Sequence, residues 1–378
     1  MSHARSLSAV LACALAAGCG SSGSNGSNGS NADATTADAA GDGAIGDTPP
    51  ADATTPDQGA DSGADATSAI EGGAAGTSAT IGPCRVFPPD SPWNRDVSGD
   101  ALSAHGADYL AAMNTSTKLH PDWGDWSTDH YGIPWQMGTG TPQVAFSWQA
   151  SWGNTDSDPD PCATSQYCYP IPTSAKIEGG PSAASGDDRH LLLLDTAGAP
   201  NDCTLYEVYQ AQNFSSPPWL AANGAIFHLG STALRADGLT SADAAGLPIL
   251  PGLVRYDEVA AGEVKHAIRF TMNTTSSYFI HPATHAASSH GLYAPPMGLR
   301  LRMKAGTDVS AASAAGKVVF AAMKKYGVIL ADNGSDWFFG GDSDDRWAPL
   351  MDALVADFGR LHGSDFEVVE TGTPIAQP

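Results

Sequence analysis

Residues 190–210 read HLLLLDTAGAPNDCTLYEVYQ, two short runs separated by Gly, Ala, Pro, Asn and Asp. The first, 190–195, is apolar throughout its middle; the second, 204–210, alternates. Both have strand length, and the residues between them are turn formers. Runs of the same kind recur on either side, at 144–148, 224–229, 266–271, 278–281, 299–304 and 328–330. They are rich in β-branched and aromatic residues. Long helices do not alternate with them, which argues against a doubly wound parallel sheet. The chain is therefore read as mainly β: a single domain of antiparallel β-sandwich or jelly-roll type. About three peripheral helices are predicted on spacing, over 100–113, 311–326 and 349–362, with a short turn at 255–260. Gly327 and Gly363 supply stops for the second and third.

The predicted domain covers 83–378. Ahead of it, Arg5 precedes an apolar run over 7–17 that is too short for a permanent membrane span. The run ends in Leu15-Ala16-Ala17-Gly18-Cys19, which resembles the bacterial lipobox. That likeness implies a signal peptide over 1–18 and a lipid on Cys19, so the membrane is reached through an anchor only. Residues 20–82 are Gly, Ser, Asn, Ala, Thr and Asp, with nine acidic side chains and no Lys or Arg. Such a segment cannot offset its own ordering entropy, and 19–82 is read as a disordered tether. As a flexible coil it would span roughly 40–50 Å.

Residues 84–378 hold 32 acidic and 17 basic side chains, a net charge of −15. That balance disfavours nucleic acid as a partner. Of six cysteines, Cys13 lies in the signal and Cys19 is the lipid site. Cys162 and Cys168 enclose a short loop, which makes a local bridge the natural pairing and leaves Cys84 for Cys203. A zinc site is the rival, with poor ligand spacing. Disulfides fit an exported chain.

Several stretches, IEGGP (177–181), DRHLLLLD (188–195), CTLYE (203–207), residues 240–270, PPMGLRLRMKA (295–305) and KKYGVILADNGSDW (324–337), together resemble a set of secreted bacterial proteins of unassigned function. The likeness spans most of 84–370. It implies one exported domain and transfers no functional residue.

Chemistry must then come from side chains. Alternation puts Glu207 on one strand face with Cys203, Leu205 and Tyr209, and a carboxylate on an apolar face tends toward a raised pKa. Glu178 precedes two glycines that leave backbone open to a ligand. The pair suits the acid and base of a glycosidase, with Asp188 and His190 assisting. Structural roles compete for each: a buried Glu bonded to backbone, a turn glutamate, polar residues at a strand end. His266 shares a face with Ile268 and Phe270 and is a second base candidate in the substrate set, or a satisfied core histidine. Arg269 on the opposite face and the alternating Arg300, Arg302 and Lys304 are candidates to hold anionic groups, with internal ion pairing as the alternative. Trp93, Trp123, Trp126, Tyr131, Trp135, Trp148 and Trp152 offer planes for sugar rings, or core packing; Trp135 is taken into the substrate set.

His281, His285 and His290 are too widely spaced for one zinc, and no metal residue is assigned. No cofactor is expected; calcium at 332–336 or at Asp342, Asp344 and Asp345 is the one candidate. Phosphate loops, G-x-S-x-G elbows and HExxH helices do not occur. The expected function is a surface-tethered, monomeric glycosidase or lyase acting on extracellular polysaccharide. A non-catalytic glycan-binding module and a structural envelope lipoprotein are the alternatives.

Overall fold

The computed structural model describes residues 78–212 and 216–378. The signal, Cys19 and nearly all of the tether lie outside the described residues. The tether boundary needs correction. Ala79–Ile81 pairs antiparallel with Cys84–Val86, because Ala79 and Ile81 alternate into the core while Gly82 turns the chain at φ 56°.

Strands outnumber helices, and they are grouped in several sheets. The largest has six strands in the order Phe366–Val368, Arg300–Met303, Val328–Asn333, Ile268–Met272, Phe338–Ser343 and His120–Gly124. A second has four, in the order Asn223–His228, Thr204–Tyr209, Leu191–Asp195 and Trp135–Gly138. Three more strands, Cys168–Tyr169, Val144–Trp148 and Trp219–Ala221, form a third sheet.

The run of four leucines has a direct cause. Leu192, Leu194 and Leu205 enter one core with Ile268, Phe270, Leu330 and Phe339 of the six-stranded sheet. Leu191, Leu193 and Val208 enter another with Phe146, Trp148, Tyr169 and Trp219 of the three-stranded sheet. A strand buried on both faces loses the polar half of its alternation.

The sheets are mixed, which corrects the expected antiparallel arrangement. Parallel pairs join Ile268–Met272 to Val328–Asn333 and Phe338–Ser343 to His120–Gly124. They also join Trp135–Gly138 to Leu191–Asp195 and Val144–Trp148 to Trp219–Ala221. Only strands linked by short loops are bound to run antiparallel; the rest are joined by long excursions whose direction strand periodicity does not reveal.

The helix predicted over 100–113 shrinks to Gly106–Ala111. Residues 101–103 pair instead with the C-terminal segment, through Ser103 N–H to Val368 O at 3.0 Å and Glu370 N–H to Ala101 O at 2.9 Å. Ala314–Lys325 is capped by Ser313, whose Oγ accepts Gly316 N–H at 3.0 Å, and it buries Val319, Phe320 and Met323. Its C-terminal stop is Gly327 at φ 72°. Met351–Phe358 packs beside it. No helix among the described residues is long and apolar enough to cross a membrane.

Both disulfides form as paired above: Cys84–Cys203 with Cα atoms 5.9 Å apart and Cys162–Cys168 with 5.8 Å. They mark an oxidising compartment.

Candidate active site

Polar side chains from both larger sheets and the loops between them gather around His190. The segment Ile177–Glu178–Gly179–Gly180 turns sharply just before the Leu191–Asp195 strand, with both glycines at positive φ (71° and 70°). A Cβ on Gly180 would stand 2.3 Å from the His130 ring, so glycine is needed for the 130–131 loop to close here. That turn carries Glu178 to His190, whose Nδ1 lies 2.6 Å from Glu178 Oε2. The other ring nitrogen, Nε2, is 3.0 Å from Ala242 O. A carbonyl can only accept, and the carboxylate holds the second proton best as a salt bridge. Burial disfavours the charged imidazole, yet the Glu178 carboxylate and its hydrogen bond lift His190 to about 9. Burial likewise opposes the charge on Glu178, but the His190 charge and hydrogen bonds outweigh it and hold the carboxyl below its ordinary range. Glu178 is an ionised carboxylate across the working pH range.

Asp122 supplies the contrast. It stands on His120–Gly124, the edge strand of the large sheet, and accepts the Tyr131 hydroxyl at 2.5 Å. His120 Nε2 lies 2.9 Å behind that hydroxyl. Burial pushes Asp122 up to about 6 against the Tyr131 hydrogen bond, and the neighbouring Glu178 charge adds to the rise. His120 is depressed by burial and stays neutral. His120, Tyr131 and Asp122 thus form a chain in which every donor can reverse when Asp122 gains a proton.

Arg269, on Ile268–Met272, donates to Asp243 Oδ2 at 2.8 Å and reaches Asp332 Oδ2 at 3.4 Å. Burial, then the Asp243 charge, push Asp332 up to about 7 despite Arg269. Asp188 accepts the Tyr209 hydroxyl at 3.3 Å; burial raises it, with the His190 charge pulling the other way. The side chains of Glu178 and Asp332 are 25% and 23% exposed, although burial dominates the ionisation of both. These partly exposed groups mark a candidate recess: a carboxylate held toward ionisation and carboxyls raised toward neutrality lie within each other's field, the pattern of acid–base sites.

Of the four residues expected to do chemistry, Glu178, Asp188 and His190 meet here. Glu207 does not. It is fully buried, and both its oxygens accept backbone N–H groups of Ile249 and Leu250 at 2.9 Å. Burial raises it to about 7, as its strand face suggested, but no solvent or substrate reaches it.

The expected anion-binding set is also redistributed. Arg300 is buried against the carbonyls of Tyr326, Pro92 and Arg95. Arg302 binds Glu367 and the carbonyls of Val97 and Asp100, and Lys304 binds Ser364 O. Alternation did put them on one strand face, but carbonyls at the ends of neighbouring segments consume their donors. His266 is fully buried between Ala267 O at 2.7 Å and Glu258 at 3.1 Å. Trp135 donates to Asp342 at 3.2 Å.

Half of the tryptophan set is core: Trp93, Trp123 and Trp148 are buried while Trp126 and Trp135 are half-buried and Trp152 exposed, and Trp123 lies so close to Gly341 that a Cβ there would meet its ring at 2.7 Å. Tyr131, 38% exposed, is the aromatic plane beside the carboxylates. The calcium candidates are separately engaged: Asp342 by the Trp135 and Trp347 indoles, Asp344 by Arg346, Asp345 by Ser127. Among the described residues no three His, Cys, Asp or Glu are placed to hold a metal.

Asp122 and His120 escape sequence reasoning, because HPDWG has a proline in the strand and no clear alternation, while Tyr131 was read only as an aromatic plane. The signal was the Asp between Pro121 and Trp123, a lone charge among residues that bury. No family model, curated protein or solved structure matches this chain.

Proposed function

We propose that the recess is a hydrolytic acid–base site for glycosidic bonds, on an exported protein tethered to the cell envelope through a lipid at Cys19. In this reading the two larger sheets are stacked in sandwich fashion and their ends form its walls. The observation that supports the reading is that Glu178, paired with His190 at 2.6 Å, lies within the electrostatic field of Asp122, which burial pushes up to about 6. Glycoside hydrolysis uses two such carboxyl groups flanking one bond. Asp122 donates its proton to the leaving oxygen, resupplied along Tyr131 and His120. Glu178 acts on the opposite side, as the base for water or as the nucleophile. Tyr131 offers a plane for a sugar ring. Asp188 and Asp332 accept sugar hydroxyls.

Hydrolysis is favoured over elimination. A uronate lyase has to neutralise its substrate's carboxylate, and the Arg269 guanidinium is committed to Asp243 and Asp332. The test is release of reducing ends from xylan, arabinan, galactan, mixed β-glucan and starch, with unsaturated uronates monitored on pectin and alginate. Glu178→Gln and Asp122→Asn should each lower hydrolysis by about 10²–10⁴. Full activity in both variants, or none in the wild-type protein on any polymer, overturns the proposal.

A further inference from the structure

A second cavity shares no residue with the recess. It is a groove of about 510 Å³ between residues 103–109, the short strand Tyr278–Phe279, the loop at Leu292 and Tyr293, and residues 369–374 near the C-terminus. That volume belongs to the class of small-ligand sites, about 300–1,000 Å³. Its floor is apolar, built from the buried Ile280 and Leu299. One wall is an aromatic plane: Tyr293 is 51% exposed, with the His105 ring 5.7 Å from its own.

The polar groups of the groove set it apart from a packing defect. Tyr109 is 3% exposed and lines the groove, and a phenol there can exchange a hydrogen bond with a group that enters it. Glu370 and Tyr293 are close enough to act on its ionisation after burial does. Glu370 itself uses one oxygen on Gly372 N–H, at 3.1 Å, and keeps the other. No Lys or Arg lines the groove.

These features select a chemistry. An alkyl chain would satisfy the floor and offer nothing to the Tyr109 hydroxyl and the Glu370 carboxylate. A phosphate, sulfate or uronate would meet Glu370 with no cation to offset it. A neutral sugar has both a C–H face to lay on Tyr293 and hydroxyls to give to Glu370 and take from Tyr109.

We propose that this groove is a second carbohydrate-binding site, taking neutral oligosaccharide through Tyr293, Tyr109 and Glu370. It does not depend on the recess being catalytic.

The test is calorimetric titration of the intact exported protein, solubilised in detergent, with cellohexaose, laminarihexaose, maltohexaose and xylohexaose. A Glu178→Gln background blocks turnover and leaves the groove untouched. At least one of the four probes should bind. Tyr293→Ala should weaken that binding tenfold or more, and Tyr109→Phe, which keeps the buried ring, should weaken it about three- to tenfold. Asp122→Asn, in the recess, should leave the groove's affinity unchanged. Binding of none of the probes, or binding indifferent to both tyrosine substitutions in protein with unchanged thermal unfolding, overturns the assignment.

Discussion

Glu207 accepts the backbone N–H of Ile249 with both carboxylate oxygens, each at 2.9 Å. The contact pins the turn at Leu250–Gly252 to the inner strand of the four-stranded sheet. It also gives the protein a pH-dependent stability. The carboxyl is raised by burial to about 7, above its unfolded value, so its contribution is complete below about 4.5 and is lost as pH rises through 7. The size is on the order of 3 kcal/mol. His190, raised to about 9, adds a loss in the same direction between about 6.5 and 9. Urea midpoints should therefore be higher at pH 5 than at pH 8, and Glu207→Gln should flatten the part of that fall between 4.5 and 7. Parallel profiles for wild type and variant would contradict this.

Tyr131→Phe removes the donor that holds Asp122 down. If Asp122 is the acid, activity falls as pH rises through about 6. Without the hydroxyl that limb should move up by roughly one unit, since a hydrogen bond to a charged group is worth about 1.5 kcal/mol or more. The rate plateau should fall as well, because the proton chain from His120 is cut. A limb that stays in place removes Asp122 from the mechanism.

In the proposed mechanism His190 positions Glu178, 2.6 Å away, and does not touch the bond under attack. With His190→Gln, burial dominates the Glu178 carboxyl and raises its pKa. The acid side of the activity profile should climb toward neutrality, with kcat falling and KM little changed. An acid limb identical to wild type is the contrary result.

The two disulfides should differ in worth. Cys84–Cys203 spans a sequence separation of 119, which corresponds to about 4–5 kcal/mol of restricted unfolded-chain entropy. Cys162–Cys168, at a separation of 6, corresponds to roughly 2 kcal/mol. Paired Ser variants compared by urea unfolding give the ratio directly, and equal losses would refute it.

Replacing Cys19 with Ser should move the protein from the membrane fraction to the soluble fraction, because the small residues before it resemble a lipobox. A Cys19→Ser protein that still sediments with membranes is anchored by something else.

How legible this site was in the chain differs residue by residue. The Val144–Trp148 strand is found at its predicted bounds, and Thr204–Tyr209 within one residue, because strand composition and flanking turn formers are local signals. Asp188 and His190 were legible for the same reason, since they lead into one recognisable strand, and Glu178 because two glycines follow it. Glu207 misled because an apolar face predicts a shifted carboxyl equally well for a catalytic acid and for a buried staple. What separates the two is whether backbone donors from residues 249–250 arrive, and sequence spacing does not carry that information. Arg300, Arg302 and Lys304 failed likewise: their alternation was read correctly and the neighbours of their face could not be. Asp122 and Asp332 come from strands 210 residues apart, joined only by the tertiary fold.

The Cys84–Cys203 bond also decides where a mechanical load would travel. A pull on the chain preceding residue 78 can peel the Ala79–Ile81 strand from Cys84–Val86 and then meets the disulfide. From there the load passes directly to Cys203 and the inner strand it precedes, bypassing all of residues 85–202. Asp122, Tyr131, Glu178, Asp188 and His190 all sit in that unloaded loop. If the protein is held through Cys19, as proposed, drag would reach Cys203 without stretching the part of the chain that carries these five side chains.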